Sequence, residues 1–215
     1  MSIVVNYADG GYRRLQARLS VKCQEIHQEC LLFDSSHGFT SHHVIPYAFK
    51  VDALRRAFGV ADTALWVDAP VYPSGLSGLE PIFNHIRKKG YLFKDSGFRN
   101  SEWCNDRSLA AFGFTRDEAE SQKHAETGIL GICVSHMAGR LVWEEFSSNT
   151  DLFRGSWSNV DGKESKDIRC KGHRHDQSII SLIAARHSLD VDDVISRGWF
   201  KFGVSPTHIL NYGRS

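Results

Sequence analysis

Apolar positions along the first half of the chain switch repeatedly between strand-like runs and helical stripes. The β-branched run Ser2–Asn6 predicts a strand, and Gly10-Gly11 predicts a turn after it. A helical stripe at steps of four and three follows, formed by Leu15, Leu19, Cys23, Ile26 and Cys30. A second helix is predicted from Pro46 to Ala57, ended by Gly59, and the apolar run 64–67 predicts the next strand.

The second half continues the same alternation. A helical stripe from Leu79 to Ile86 is closed by Gly90 and followed by a strand over 91–93. Thr115 and Glu118 have the spacing of a capping box, so a short helix is expected there. Further along, the pattern predicts a strand over 127–134, helices over 138–149 and 176–187, a mobile polar loop over 155–172, and two short strands around 205–206.

Strands that alternate with helices are typical of an α/β protein with a mostly parallel sheet covered on both faces. In such sheets ligands bind outside the carboxyl ends of the strands. Polar residues that directly follow an apolar run are therefore the first candidates for a functional site.

Composition narrows the class of protein. The 215 residues, 41% hydrophobic and 24% charged, suit one globular domain over 1–215. Without a long apolar stretch or a signal peptide, a soluble cytoplasmic protein with no membrane span is expected. The five cysteines form no C-x-x-C pair, which argues against disulfides and zinc knuckles. A net charge of +1 argues against a nucleic-acid partner, and the clusters 13–14 and 87–89 are interpreted as solvated faces.

The first candidate motif is Tyr7, Ala8 and Asp9, directly after the first strand. A ring, an acceptor and free backbone amides there could hold a base, a ribose and a phosphate. The G-x-G-x-x-G fingerprint of dinucleotide-binding proteins is absent. An ordinary strand-to-helix turn is the alternative.

Asp68 ends the apolar strand "TALWV" and is placed to meet a divalent cation carrying phosphate oxygens. The alternative is an aspartate that initiates the turn before Pro70. In the C-terminal "PTHILNYGR", His208 could complete such a coordination shell and Arg214 could meet a phosphate, although on spacing alone a surface histidine is commoner.

The stretch "EWCND" contains Glu102, Asn105 and Asp106 ahead of a predicted helix. Asn105 or Asp106 could cap that helix, or one of these polar side chains could face a substrate.

The stretch "GHRHDQSII" sets polar residues at the start of a helix. His173 and His175 invite a zinc site, but residues at i and i+2 face one way only on a strand, and no partner motif such as H-E-x-x-H exists. Asp176 at a helix N-terminus is stabilised as a carboxylate and could accept hydrogen bonds from sugar hydroxyls beside Gln177. Arg174 could pair with a phosphate or fix Asp176.

Taken in order, "NYADGGY", "LWVDAPV", "WCND", "ETGILGIC" and "HRHDQSIISLIAAR" resemble nucleotide-sugar glycosyltransferases of the GT-A type. The resemblance covers nearly the whole chain and is closest to glycosyltransferase domains of large algal DNA viruses linked to major capsid protein glycosylation. It implies a Rossmann-like mixed sheet, a UDP-sugar across the carboxyl ends of the first strands, and Mn²⁺ or Mg²⁺ bridging the phosphates.

The resemblance also implies roles for individual residues. Tyr7, Ala8 and Asp9 would form the uridine pocket, Asp68 would take the D-x-D position at ribose and metal, and His208 would supply the remaining metal ligand. Pro70 stands where the second aspartate of D-x-D would be, so metal binding could be weaker or differently composed.

Within this resemblance the pair Asp176-Gln177 would face the donor sugar. Lys50 and Arg174 are candidates to stabilise the departing diphosphate. Asp176, Asp106 and Glu102 are unranked candidates for a catalytic carboxylate, and a same-face mechanism assisted by the leaving phosphate needs none.

The expected function is transfer of a hexose or deoxyhexose from a UDP-sugar, such as UDP-glucose, to a glycan or glycoprotein acceptor, with retention of anomeric configuration. A viral protein would act in the host cytoplasm, and the domain could be cut from a longer multidomain protein. A catalytically silent sugar- or nucleotide-binding module and a metal phosphohydrolase built on His173 and His175 are the alternatives. The sugar, the acceptor and the oligomeric state stay open.

Overall fold

A computed structural model describes residues 1–74, 78–192 and 199–202. The strands are β1 (Ser2–Tyr7), β2 (Cys30–Phe33), β3 (Thr63–Val67), β4 (Val71–Pro73), β5 (Tyr91–Arg99), β6 (Lys123–Cys133) and β7 (Phe200–Phe202). Five of them form the central sheet in the order β2-β1-β3-β6-β5, and β4 pairs with β7. Neighbours of β1 are parallel to it, whereas β6 is antiparallel to both β3 and β5. The mixed, mostly parallel α/β sheet predicted from the sequence is confirmed.

Helices cover both faces of this sheet. They are α1 (Arg13–Glu25), α2 (Ala48–Phe58), α3 (Glu80–Lys89), α4 (Asn100–Trp103), α5 (Asp106–Phe112), α6 (Arg116–Glu120), α7 (Met137–Ser148) and α8 (Asp176–Arg186). Along β3, Ala64 and Trp66 enter the core formed with α2, α7 and α8, while Leu65 and Val67 enter the core formed with α1 and α3. This alternation follows from the two-residue period of a strand, and it leaves both faces of β3 buried.

The prediction that the first helix reaches Cys30 is wrong. Helix α1 ends at Glu25, and Cys30 begins β2, an edge strand that the sequence pattern did not indicate. His27 turns the chain with a φ of 53°, and the amide of Gln28 bonds the carbonyl of Cys23 at 2.8 Å. A histidine in the left-handed region closes the helix where glycine is the usual residue, so no sequence signal marked the stop.

Other predicted boundaries are confirmed. Gly90 ends α3 with a φ of 92°, and Thr115 and Glu118 form the capping box of α6. Strand β5 runs well past the predicted 91–93 and β6 begins before 127. Residues 155–172 contain neither helix nor strand, and the predicted strand after 205–206 lies outside the described residues. In the described part of the chain, the helices are too short or too polar to cross a bilayer.

Candidate active site

Two adjoining cavities open at the carboxyl ends of β1 and β3. The first, here called the aromatic lobe, has a volume of about 360 Å³, and the second, the polar lobe, about 230 Å³. Tyr47, Asp68 and Pro70 line both lobes, so the two form one continuous cleft. The cleft lies where the α/β architecture predicts a ligand site.

The aromatic lobe contains the first predicted motif. Tyr7, Ala8 and Asp9 line it together with Tyr12, His42, Phe49, Trp66 and Ala69. The ring of Tyr7 stacks on Phe49 at a centroid distance of 4.4 Å, which leaves a flat apolar wall. Asp9 caps the short 3-10 turn 10–12 by accepting from the amide of Gly10 at 2.8 Å, and it also accepts from Ser35 Oγ at 3.2 Å. Flat walls with one fixed carboxylate suit a nucleoside.

Lys50 forms the centre of the polar lobe. Its Nζ donates to Asp176 Oδ2 at 2.6 Å and to the carbonyl of Thr127 at 2.9 Å, and lies 3.6 Å from Asp68 Oδ1. The side chain is only 1% exposed. Burial alone would lower the pKa of Lys50, but the adjacent carboxylates of Asp176 and Asp68 outweigh it and raise that pKa. The ammonium is therefore a permanent charge at the floor of the cleft.

Asp176 occupies the first turn of α8, as predicted. Thr127 Oγ1 donates to Oδ2 at 2.7 Å, so this one oxygen accepts from both Thr127 and Lys50. Oδ1 has no hydrogen-bond partner among the described residues. The carboxylate is thus held rigidly through one oxygen while the other is available to a ligand.

Asp68 and Glu126 converge on the backbone of Gly128. The amide of Asp68 bonds the carbonyl of Gly128 at 2.8 Å, extending the pairing of β3 with β6. A Cβ atom built on Gly128 would lie 3.0 Å from Glu126 Oε1 and 3.4 Å from Asp68 Oδ2. Because a side chain there would fill the space between the carboxylates, glycine keeps a small oxygen-lined gap open.

The surroundings of Asp68 disfavour its negative charge. Although 36% of the side chain is exposed to the cleft, removal from water raises its pKa, and Asp176 and Glu126 add to the shift. Lys50 and the indole N–H of Trp66, which donates to Oδ1 at 2.7 Å, act in the opposite direction. A cation bound at Oδ2 would favour the ionised carboxylate and so lower its pKa.

The gap beside Gly128 offers two oxygen ligands to a hard divalent cation. Asp68 Oδ2 and Glu126 Oε1 are two oxygen ligands of the kind Mn²⁺ and Mg²⁺ take. Across the described ranges no three His, Cys, Asp or Glu side chains are grouped closely enough to hold a metal ion. His208, the further predicted ligand, and Arg214 lie outside the described residues.

Gln177 reaches the polar lobe beside Asp176. Its Nε2 lies 3.4 Å from Nδ1 of His124, a fully buried residue of β6. Burial lowers the pKa of His124 to about 3, aided by the charge of Arg174, so the imidazole is neutral and can accept from the amide. His124 therefore orients Gln177, a role that the sequence did not reveal.

Arg174 also lines the polar lobe, with its guanidinium against aromatic rings. Its carbon Cζ lies 4.0 Å from the ring centroid of Trp103, 5.0 Å from that of Trp157 and 5.2 Å from that of Phe98. It does not fix Asp176, which is held by Lys50 and Thr127 instead.

The two histidines of "GHRHDQSII" have structural contacts. His173 Nε2 bonds the carbonyl of Leu152 at 2.9 Å, and His175 Nδ1 bonds that of Phe153 at 2.7 Å. Burial lowers the pKa of His173 to about 3 and lowers that of His175 as well. Both imidazoles are neutral and anchor the start of α8 to the 3-10 turn 150–153, which leaves no support for a zinc site built on this pair.

Two predicted carboxylates lie away from the cleft. Asp106 is 61% exposed and pairs with Arg116, and Asn105 is the residue that caps α5 by accepting from the amide of Ser108 at 2.9 Å. Glu102 pairs with Lys171. The structure does not bring Asp106 or Glu102 to the residues that line either lobe.

Several cleft residues carried no individual signal in the sequence. Glu126, Thr127 and Gly128 belong to the quoted segment "ETGILGIC", where polar residues interrupt an otherwise buried strand. Tyr47 turns into the cleft through a φ of 60°, which its sequence context does not indicate. Ser96, Phe98 and Trp157 also line the cleft without such a signal, and they come from β5 and the loop 155–172.

Comparison with known proteins gives a distant structural likeness only. No protein family and no curated protein matches the sequence. The apo form of mouse xyloside xylosyltransferase 1 aligns over 90% of this chain and 85% of that chain, with a TM-score of 0.48 and 11% identity.

A second solved structure, a glycosyltransferase involved in the glycosylation of the major capsid of PBCV-1, aligns over 69% of this chain and 67% of that chain. Its TM-score is 0.41 and its identity 15%. These values do not support the close relationship to viral enzymes that the motifs suggested. Both structural neighbours are glycosyltransferases, but likeness at this level carries no argument about activity.

Proposed function

We propose that the chain transfers a sugar from a UDP-sugar to a glycan or glycoprotein acceptor. The observation that carries the proposal is the single cleft, which gathers Tyr7, Ala8, Asp9, Lys50, Asp68, Arg174, Asp176 and Gln177 from distant parts of the sequence. The larger, aromatic lobe suits the nucleoside end of a nucleotide sugar, and the smaller, carboxylate-rich lobe suits its sugar end.

In this proposal the uracil and ribose occupy the aromatic lobe, against the wall that Tyr7 and Phe49 form and beside Asp9. The diphosphate then lies at the junction that Tyr47, Asp68 and Pro70 share. Asp68, with Glu126, would hold Mn²⁺ or Mg²⁺, and such an ion when bound neutralises charge on the departing diphosphate. Pro70 supplies no side-chain ligand at the second D-x-D position.

The donor sugar lies in the polar lobe against Asp176 and Gln177. Asp176 Oδ1 accepts a hydrogen bond from a sugar hydroxyl, and Gln177 offers a donor and an acceptor in the orientation set by His124. In the reaction the bond between the anomeric carbon and the diphosphate oxygen breaks while the acceptor hydroxyl oxygen bonds to that carbon. The acceptor proton passes to the leaving phosphate in the same-face mechanism, which gives retention without a protein nucleophile.

Lys50, predicted to stabilise the departing diphosphate, has its first role in holding Asp176. Its ammonium donates to Asp176 and Thr127 and is buried beneath Tyr47, so it positions the sugar-binding carboxylate and stabilises the leaving group only through its field. A catalytically silent binding module remains the second candidate, because Pro70 departs from the metal-binding motif.

Calorimetric titration with UDP, with and without Mn²⁺, tests the nucleotide site. We expect binding that Mn²⁺ strengthens, and Asp68→Asn should remove the Mn²⁺-dependent part while the exposed Asp151→Asn control keeps it. Absence of UDP binding under both conditions, in protein shown to be folded by circular dichroism, would overturn the proposal.

A panel of UDP-sugars then separates an enzyme from a silent module. Release of UDP, by transfer to a glycan or to water, should be measurable for at least one sugar and should fall by about 10²-fold or more in Asp176→Asn. UDP binding without any turnover across the panel would favour the silent module.

A further inference from the structure

Within the described part of the chain, Arg174 is a half-buried cation that pairs with no carboxylate. The guanidinium lies between the rings of Trp103, Trp157 and Phe98, and no carboxylate comes within ion-pair distance of it in residues 1–74, 78–192 and 199–202. The acidic side chains that line the polar lobe pair with lysines instead, Asp68 and Asp176 with Lys50 and Glu126 with Lys94.

Two donors at this place are buried and unused. Nε of Arg174 and Nε1 of Trp103 have no hydrogen-bond partner among the described residues. Partial removal from water lowers the pKa of Arg174, and the charge of Glu126 opposes this shift only in part. Buried donors in folded proteins are nearly always satisfied, so a ligand acceptor is expected beside them.

The backbone of Arg174 is anchored by hydrogen bonds. The amide of Arg174 bonds the carbonyl of Trp103 at 3.2 Å and Ser178 Oγ at 2.9 Å, and that hydroxyl in turn donates to Trp103. With the backbone anchored, packing against the ring of Trp103 at 4.0 Å restricts the guanidinium, whose planar fork suits bidentate pairing with a carboxylate.

The position of Arg174 indicates which part of a substrate it meets. It lines the polar lobe and is absent from the residues that the two lobes share, where the diphosphate is proposed to lie. Beside it Trp157 is 46% exposed at the mouth of the cleft, and its ring also contacts His175. An exposed aromatic face next to a cation suits a sugar ring that carries a negative charge.

We propose that Arg174 and Trp157 form an acceptor subsite for an acidic sugar, a uronic acid whose carboxylate pairs with Arg174 and whose ring packs on Trp157. The proposal rests on the proposed function, because it places the acceptor beyond the donor sugar. It adds a substrate class: the acceptor glycan is anionic at the residue that receives the transferred sugar or at the one next to it.

Matched pairs of methyl glycosides test the subsite. With UDP and Mn²⁺ present, methyl glucuronide and methyl galacturonide are titrated against methyl glucoside and methyl galactoside, with binding followed by tryptophan fluorescence and saturation-transfer NMR. At least one acidic glycoside should bind about tenfold or more tightly than its neutral counterpart. Arg174→Gln should abolish this preference, and the exposed Arg14→Gln should preserve it.

The affinity for UDP is measured separately for each variant. Unchanged UDP binding in Arg174→Gln, together with the lost preference, supports the subsite, and Trp157→Ala should weaken both members of each glycoside pair. Equal affinity for acidic and neutral glycosides in the unaltered protein overturns it. So does a loss of UDP affinity in Arg174→Gln as large as the loss of glycuronide affinity, since Arg174 would then serve the diphosphate. Failure of UDP to bind at all would instead overturn the proposed function on which the subsite rests.

Discussion

Lys50 shows how much of the site depends on a single charge. Lysine is rarely buried unless it is paired, and here the ammonium has two hydrogen-bond acceptors, on Asp176 and Thr127, and a second carboxylate, Asp68, at 3.6 Å. Asp176 is 126 positions away along the chain. The sequence shows that Lys50 belongs to a predicted helix, but it does not show that Lys50 pairs with Asp176, because only folding brings the two together.

Replacing Lys50 with methionine should both destabilise the fold and disable the site. The change leaves Asp176 buried without its countercharge, which typically costs about 3 to 5 kcal/mol in the free energy of unfolding. Urea denaturation measures this loss. The double variant with Asp176→Asn should recover part of it, because the uncompensated charge is gone; strictly additive losses would contradict the assigned pairing.

Gly128 gives a more local prediction. In Gly128→Ala the new methyl group meets Glu126 Oε1 and Asp68 Oδ2, so the gap between the two carboxylates closes. We expect the Mn²⁺-dependent part of UDP binding to fall by about tenfold or more, with little change in thermal stability.

Gly78→Ala is the matched control, because a Cβ there meets nothing within 4 Å. Unaltered Mn²⁺ dependence in Gly128→Ala would show that the gap between the carboxylates does not hold the ion.

At the scale of elements, α8 positions the two residues that are proposed to bind the donor sugar, Asp176 and Gln177. It is buried over nearly its whole length, and its polar start is set by His175, whose φ of 53° and ψ of −122° are unusual for a residue with a Cβ. Such a conformation costs about 1 to 3 kcal/mol and persists only where the surroundings impose it. The bond from the His175 ring to Phe153 is one of those constraints.

Ser181 fastens α8 to strand β6. Its Oγ accepts from the amide of Ala125 at 2.7 Å and donates to the carbonyl of Gln177 at 2.6 Å. Ser181→Ala leaves the buried amide of Ala125 without a partner and should lower the free energy of unfolding by about 1 to 3 kcal/mol.

Ser147→Ala, on the exposed end of α7, provides the comparison and should change stability by less than about 0.5 kcal/mol. Equal effects of the two substitutions in urea denaturation would show that the link between α8 and β6 is not energetically important.

The sequence predicted elements well where a local device marks their ends. Gly90 and the capping box of Thr115 each satisfy backbone groups within a few residues, so their signals are visible in the chain itself. Strand β2 was missed because His27 performs the turn that glycine usually performs. The order of the strands was not predicted, because pairing between strands distant along the chain leaves no local mark in the sequence.

The cleft was predictable in part because several of its residues stand at recognisable positions along the chain. Asp68, Asp176 and the motif beginning at Tyr7 follow strands or begin a helix, and such positions converge at one edge of an α/β sheet. Glu126 and Gly128 reach the same cleft from the antiparallel strand β6, whose direction the pattern did not reveal. Asp106 caught attention by its motif, yet its place in α5 directs it to Arg116 and to solvent.

At the scale of the whole molecule, buried neutral histidines couple stability to pH. Burial lowers the pKa of His124 and of His173 to about 3 in the folded protein, compared with about 6.5 in the unfolded chain. Below pH 6.5 the unfolded chain takes up protons that the folded protein does not. Stability is therefore full above this pH and is lost as the pH falls from 6.5 towards 3.

Each of these two histidines should contribute about 2 kcal/mol of lost stability between pH 7 and pH 5. Urea denaturation at the two pH values measures the slope, that is, the change in the free energy of unfolding with pH. His173→Gln should remove about half of the part of this change that the two histidines contribute together. The exposed His43→Gln should leave the slope unchanged. An undiminished slope in His173→Gln would contradict the buried neutral state of this ring.

The division of the cleft has a consequence for how such a protein can diversify. The aromatic lobe is built from residues 7–12, 42–49 and 66–70, whereas Ser96, Phe98, Trp157, Arg174 and Gln177 line only the polar lobe. Under the proposed function, substitutions in the second group would change which sugars bind and leave the residues of the nucleotide site unaltered. A lineage could then acquire new glycan products by varying the end of β5, the loop 155–172 and the start of α8, and the same separation offers a practical route to redesign.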